Sequence, residues 1–288
     1  MLAASKLHTK KGIDMRTFII AEIGINHNGC INTAKKLIEV AADVGCDAVK
    51  FQKRTIDSVY TQEFLSSGRQ SPWGTTQRDQ KEGLEFGVEE YQQISDCCKS
   101  YGLDWFVSSW DIDSQMFLRS FNLQYNKVAS AMLTNIPLLK SIAEEQKKTF
   151  ISTGMSTLGE IDAAVEIFEK SNCPYELMHC NSTYPLAEAD ANLRIIDLLK
   201  ERYDCLVGYS GHESDNLVTV CAVARGATSI ERHITLDRNM YGSDQKASIE
   251  PHELRDLIVL IRRTEKILGS GEKQLTSAEM KIRKKLRG

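Results

Sequence analysis

Eight short apolar runs recur along this chain, each followed by a stretch whose apolar residues fall at helical spacing, and no other feature narrows the fold as far. The runs are 17–23, 48–51, 104–107, 125–128, 149–152, 176–178, 206–209 and 228–230. The helical stretches are 32–44, 88–101, 114–121, 135–146, 158–170, 190–202, 215–225 and 251–268. Strands that alternate with helices form a parallel sheet with the helices packed on it. Open doubly wound sheets usually stop at about six strands, whereas eight units in a chain of barrel length close on themselves. Pro137 and Pro251 near helix starts, and Gly226 past a helix end, support the boundaries. The expected architecture is α/β, a (β/α)8 TIM barrel over 17–270, with a disordered lead-in at 1–16 and a tail or short helix at 271–288.

Charge narrows the function classes. Lys and Arg number 36 against 39 Asp and Glu, a formal net charge of -3, so there is no basic excess to hold nucleic acid and any anion site must be local. The eight cysteines form no CxxC pair and fall mostly within apolar patterns, as small buried thiols of a reducing compartment do. No apolar run approaches membrane length and the first 16 residues lack a signal-peptide pattern. A cytoplasmic protein without nucleic-acid or membrane partners is expected.

In such a barrel the site lies at the C-terminal ends of the strands. Those ends carry Glu22 with Asn26 and His27, then Lys50 and Gln52, then Ser108, Ser109 and Asp111, then Lys127 and Ser130. Further round come Ser152 and Thr153, then His179, Asn181, Ser182 and Tyr184, then Ser210 and His212, and finally Glu231 and His233. Polar groups so confined must satisfy one another or bind something. His212 and His233 end two strands joined by one helix, which suits a divalent metal with open positions for water and substrate; two ordinary strand-end histidines fit the same spacing. Lys50 and Lys127 lie in apolar strands and need an anionic partner. That partner is either a ligand's phosphate and carboxylate, held with the neighbouring hydroxyls, or a carboxylate such as Glu22 or Glu231. A Schiff-base lysine is a third reading, and it leaves the histidine pair without a role. Glu22 is the candidate general base or metal-shell carboxylate, or else an anchor for the turn after it. His27 is assigned to that turn, His179 to packing or else to a third metal position, and His8 and His252 to the surface. The connection from 53 to 87 is too long for a plain loop and is expected to be a lid over the site, or disordered.

These residues together resemble the sialic acid synthase family. The matching strings are AEIGINHNG (21–29), VKFQ (49–52), NKVAS (126–130), STGMS (152–156), HCNSTYP (179–185), GYSGHE (208–213), IERHITLD (230–237) and GSDQKAS (242–248), in family order along the whole chain. The resemblance implies an enzyme that condenses phosphoenolpyruvate with N-acetylmannosamine or a related N-acyl hexosamine, giving a nonulosonic acid such as N-acetylneuraminate and phosphate. Acceptors of the legionaminic or pseudaminic type, or a 6-phosphate sugar, remain open, as do a Schiff-base pyruvate aldolase and a sugar-binding barrel without catalysis. It further implies that His212 and His233 bind Mn2+ or Mg2+. Lys50 and Lys127, with Ser130, Ser152 and Ser210, would hold phosphoenolpyruvate, while Glu22, Gln52, Tyr184 and Asp244 would surround the acceptor and the attacking water. A homodimer is expected on the same ground. Two departures stand out. Ala131 and Met132 follow NKVAS where many members have glycine and an acidic residue. The sequence also stops at Gly288, where members continue into an antifreeze-like domain, which leaves the 53–87 connection as the expected cover of the site.

Overall fold

The computed structural model describes residues 16–288. Of the lead-in only Arg16 falls within that range, and it donates to Asp47 at 2.7 Å; residues 1–15 lie outside the described residues.

Eight parallel strands close into a barrel in which each strand pairs with its neighbours in sequence and the first with the last. They are β1 (Phe18–Gly24), β2 (Ala48–Lys53), β3 (Asp104–Ser109), β4 (Tyr125–Val128), β5 (Lys148–Ser152), β6 (Tyr175–His179), β7 (Val207–Gly211) and β8 (Ser229–His233). The helices between and after them are α1 (Ile31–Val44), α2 (Val88–Tyr101), α3 (Ile112–Arg119), α4 (Ile136–Ala143), α5 (Leu158–Lys170), α6 (Ile195–Tyr203), α7 (Leu217–Ala224) and α8 (Pro251–Leu268). The sequence signals that start these helices are used. Thr157 and Glu160 form a capping box on α5, Glu250 and Glu253 another on α8, and Pro137 and Pro251 sit in first turns where no intrahelical N–H is needed. Helix α6 begins at Ile195, five residues later than the 190–202 stretch suggests, because Glu188–Asp190 is a separate 3-10 turn.

Strand register decides which side chains enter the barrel. Glu22 is level with both Lys50 and His233, Lys50 with Phe106, Gln52 with Ser108, Ser108 with Lys127, and Glu231 with Ser210. Side chains alternate along a strand, so the same phase continues downward through the barrel. In that same phase, Phe18, Phe106, Tyr125 and Phe150 pack ring on ring at centroid distances of 5.5 to 5.9 Å. An aromatic floor thus carries a charged upper layer, while the opposite phase, with Ile19, Val49, Val107, Ile151 and Ile230, packs buried against the helices.

The 53–87 connection is folded, which corrects the expectation of a loop or a disordered segment. It contains short helices at Ile56–Val59 and Gln62–Ser66, a hairpin of Gly68–Ser71 with Gly74–Thr76, and a helix Gln77–Leu84 started by a Thr76–Asp79 capping box. Leu65, Leu84 and Phe86 are buried beneath it. Phe86 stacks on His27 at 4.1 Å and Trp73 meets Tyr241 edge-on at 5.8 Å, so the insertion is tied both to the turn after β1 and to the segment after β8. Gly83 is required here, because a Cβ would run into the Trp73 indole. The C-terminal stretch carries a short helix, Ser277–Arg287, with no buried residue.

Candidate active site

Four buried charges meet at the top of the barrel. Lys50 Nζ stands 2.8 Å from Glu231 Oε1 and 3.5 Å from Glu22 Oε2, and Lys127 Nζ stands 3.4 Å from Glu231 Oε2. Both lysines therefore have carboxylate partners within the protein. Burial pushes the Glu22 carboxyl up to about 7, with Lys50 opposing and Glu231 assisting. Glu231 behaves in the opposite way: burial would raise it, but Lys127 and Lys50 hold it well below the usual carboxylate range. Burial brings the Lys127 ammonium down to about 8 against the pull of Glu231, whereas Glu22 and Glu231 outweigh burial at Lys50 and raise it. Near neutral pH the well holds two cations, one firm anion and one carboxyl close to half-ionised, so a positive surplus remains. Glu22 Oε2 and Glu231 Oε2 are buried with only the lysine ammoniums, at 3.5 and 3.4 Å, beside them and no well-aligned hydrogen bond. A well with positive surplus and open acceptor positions is built to take a further polar ligand.

Hydroxyls and amides ring this well. Ser210 donates to Glu231 at 3.1 Å, and Lys127 meets the Ser152 hydroxyl in a short hydrogen bond. Ser130 Oγ accepts from the Gly154 amide at 3.1 Å and lies 3.1 Å from Cys180 Sγ. Gly154 has to be glycine: a Cβ there would lie 2.8 Å from Ser130 Oγ, 2.9 Å from Cys180 Sγ and closer still to Ser182. Hydroxyls and a backbone amide converge at that point, donors of the kind an oxyanion requires. On the other side Gln52 donates to Glu22 at 2.8 Å and accepts from Arg54.

The two histidines stand beside the well with ring centroids 5.4 Å apart. His212 Nδ1 donates to the Asn181 carbonyl at 2.7 Å, which fixes the tautomer and leaves Nε2 as an acceptor, met at 2.7 Å by the Tyr184 hydroxyl. Burial and the neighbouring His233 bring His212 down to about 4, and burial lowers His233 as well. Both imidazoles are therefore neutral at pH 7, the form that ligates metal. His233 Nδ1 is buried without a hydrogen-bond partner, with Asp244 Oδ2 at 3.8 Å. No group of three or more His, Cys, Asp or Glu side chains is gathered into a preformed cage among the described residues. The donor set fits a cation held by two imidazoles with water and substrate completing the shell, and the orphaned Nδ1 is the observation that favours it.

Two sequence assignments need correction. Ser109 does not reach the well: its hydroxyl donates to Gln115 of α3 at 2.6 Å, on the outer face of β3. The inward serine is Ser108, level with Gln52 and Lys127, and its buried hydroxyl has no partner. Asn181 contributes its carbonyl, while its side chain is occupied by Thr183. His27 accepts from the Gly29 amide at 3.1 Å and His179 bonds the Ala191 carbonyl at 2.7 Å, the turn and packing roles expected of them. Asp111 caps α3. Arg54 and Gly154 carry no sequence signal of their own beyond nearness to Gln52 and a place in the STGMS string.

With this geometry in place, comparison with known proteins places the chain. The sequence model of the NeuB family matches residues 37–273. The N-acetylneuraminate-9-phosphate synthase of Mus musculus is 38% identical over 272 residues, covering 93% of this chain and 76% of that protein. The N,N'-diacetyllegionaminic acid synthase of Campylobacter jejuni is 38% identical over 277 residues, covering 92% and 81%. A crystal structure of the N-acetylneuraminic acid synthetase of Leptospira borgpetersenii in complex with citrate superposes with a TM-score of 0.84 at 33% identity, over 94% of this chain and 92% of that one.

Proposed function

The chain belongs to the NeuB family, and from that membership we propose that it is the synthase that joins phosphoenolpyruvate to an N-acyl amino sugar, releasing phosphate and giving a nine-carbon 2-keto acid. The observation that carries the reading is the buried Lys50, Lys127 and Glu231 cluster set directly beside two neutral histidines.

Lys50 and Lys127 take the negative end of phosphoenolpyruvate, exchanging part of their contact with Glu231 for the ligand's oxygens. Ser130, Ser152, Ser182 and the Gly154 amide supply the neutral donors that fix its orientation. His212 and His233, with Asp244 near by, would hold Mn2+ or Mg2+, which when bound polarises the acceptor's aldehyde oxygen. C3 of phosphoenolpyruvate attacks the aldehyde carbon, and the new alkoxide takes up a proton. Water then adds at C2, gives up a proton, and the C–O bond to phosphate breaks. Glu22, poised near 7 and bonded to Gln52, is placed to take and return the proton at the water. The pairing of both lysines with Glu231 favours ammonium roles over Schiff-base chemistry, which needs a free amine. The test is phosphate release from phosphoenolpyruvate against a panel of N-acyl hexosamines, with and without divalent cation. Release that ignores the acceptor, or persists in thoroughly metal-stripped protein, contradicts this function.

A further inference from the structure

A second group of cations lies outside the well, on the folded insertion between β2 and α2. Arg54 is nine-tenths buried, its guanidinium stacked 4.0 Å over the Trp110 ring, and its Nε has no partner. Tyr60 stands beside it, and the same Tyr60 ring carries the Lys81 ammonium 5.2 Å from its centroid. Arg69, on the hairpin, donates to the Tyr241 hydroxyl at 3.4 Å. Among the described residues, Glu85 and Asp244 are the carboxylates that act on Lys81, and Glu85 also faces Arg54. Glu85 is already taken by Lys53 at 2.9 Å and the Arg54 amide at 3.1 Å, with the Arg54 guanidinium at 3.7 Å. Asp244 belongs to the histidine pair. Among the described residues neither Lys81 nor Arg69 makes an ion pair, and burial together with Arg54 and Arg69 brings Lys81 down to about 8, as befits like charges crowded without an anion.

The group connects to the acceptor's surroundings on two sides. Arg54 donates to Gln52, which donates to Glu22. Arg69 reaches Tyr241, three residues before Asp244 in the segment that follows β8. An open-chain hexosamine with its aldehyde at the histidines therefore extends its far end toward this group. Four cations (Lys53, Arg54, Arg69 and Lys81) against two carboxylates leave a surplus that a neutral hydroxyl does not match. We propose that Arg54, Arg69 and Lys81 form a phosphate subsite for the end of the acceptor remote from the aldehyde, so that the preferred acceptor is a hexosamine phosphate. This rests on the synthase reading above and names its substrate class.

The test compares kcat/KM for N-acetylmannosamine 6-phosphate and N-acetylmannosamine, with phosphoenolpyruvate saturating, in the wild type, Lys81→Met and Arg69→Gln. The wild type is expected to favour the phosphorylated acceptor at least about tenfold. Each variant should raise its KM about ten- to a hundredfold, the worth of one charge-assisted contact, while the neutral acceptor and phosphoenolpyruvate change less than about twofold. Thermal melting of both variants checks that the insertion still folds. Equal use of the two acceptors by the wild type, or losses shared equally by both, overturns the subsite and leaves the synthase standing. No acceptor-dependent phosphate release from any N-acyl sugar overturns the synthase reading and the subsite with it.

Discussion

Replacing Glu231 with Gln separates a ligand-binding lysine pair from a merely structural one. Glu231 lies 2.8 Å from Lys50 and 3.4 Å from Lys127, and all three side chains are buried. At an effective dielectric of about 20, unit charges at such separations attract by roughly 5 kcal/mol, and desolvation of the carboxylate offsets several kcal/mol of that. Removing one member of such a cluster costs about 3 to 5 kcal/mol, or roughly 10 °C in melting temperature for a domain of this size. Lys127, already near 8, would shed its proton more readily, so the loss should be smallest around pH 8 and grow as pH falls. Phosphoenolpyruvate at about a hundred times its Kd stabilises any protein that binds it by about 2.7 kcal/mol. In the variant its phosphate also meets uncompensated ammoniums, which lowers its Kd, so the ligand-induced shift should exceed that of the wild type at equal ligand concentration. Scanning calorimetry with and without phosphoenolpyruvate reads both effects. A variant as stable as the wild type, or one that the ligand stabilises no further than the wild type, would refute this account of the well.

Other perturbations follow from the same geometry. His212→Ala and His233→Ala should abolish activity and weaken Mn2+ binding, measured by electron paramagnetic resonance, with melting shifted less than in Glu231→Gln because burial keeps both imidazoles neutral and their loss strands no buried charge. Gly154→Ala should raise the KM for phosphoenolpyruvate about tenfold or more, since its Cβ would crowd Ser130, Cys180 and Ser182. Glu22 is raised from 4.5 to about 7, so the folded state binds the extra proton between those values. Stability of the ligand-free protein should therefore fall as pH rises from about 4.5 through 7, by up to roughly 3 kcal/mol, and Glu22→Gln should flatten that slope in urea titrations. A slope unchanged in the variant would assign the titration elsewhere.

The barrel was legible because eight buried parallel strands and eight amphipathic helices each leave a periodic trace, and the helix boundaries at 88–101, 158–170 and 251–268 coincide with those observed. The 53–87 insertion was not, since Leu65, Trp73, Leu84 and Phe86 pack around short, irregular elements with no period to read. Strands buried on both faces also hide their phase. Ser108 and Ser109 look alike in the sequence, and only register with Lys50 and Lys127 shows which one faces inward. The strand–helix–strand spacing puts His212 and His233 at one end of the sheet, where their rings stand 5.4 Å apart, whereas the internal pairing of both lysines with Glu231 is not legible, because nothing in a linear sequence states which of two reachable carboxylates a lysine meets.

The central claim is that the lysine well and the histidine pair act on one carbon–carbon bond-forming reaction. Mass spectrometry of the products, with phosphate measured in parallel, tests it most directly: the protein is incubated with phosphoenolpyruvate, an N-acyl hexosamine or its 6-phosphate, and Mn2+ or Mg2+. The account predicts one nine-carbon 2-keto acid for each phosphate released, none after chelation, and recovery when the cation is restored. Phosphate without the condensed acid, or condensation from pyruvate with a lysine trapped by borohydride, would contradict it.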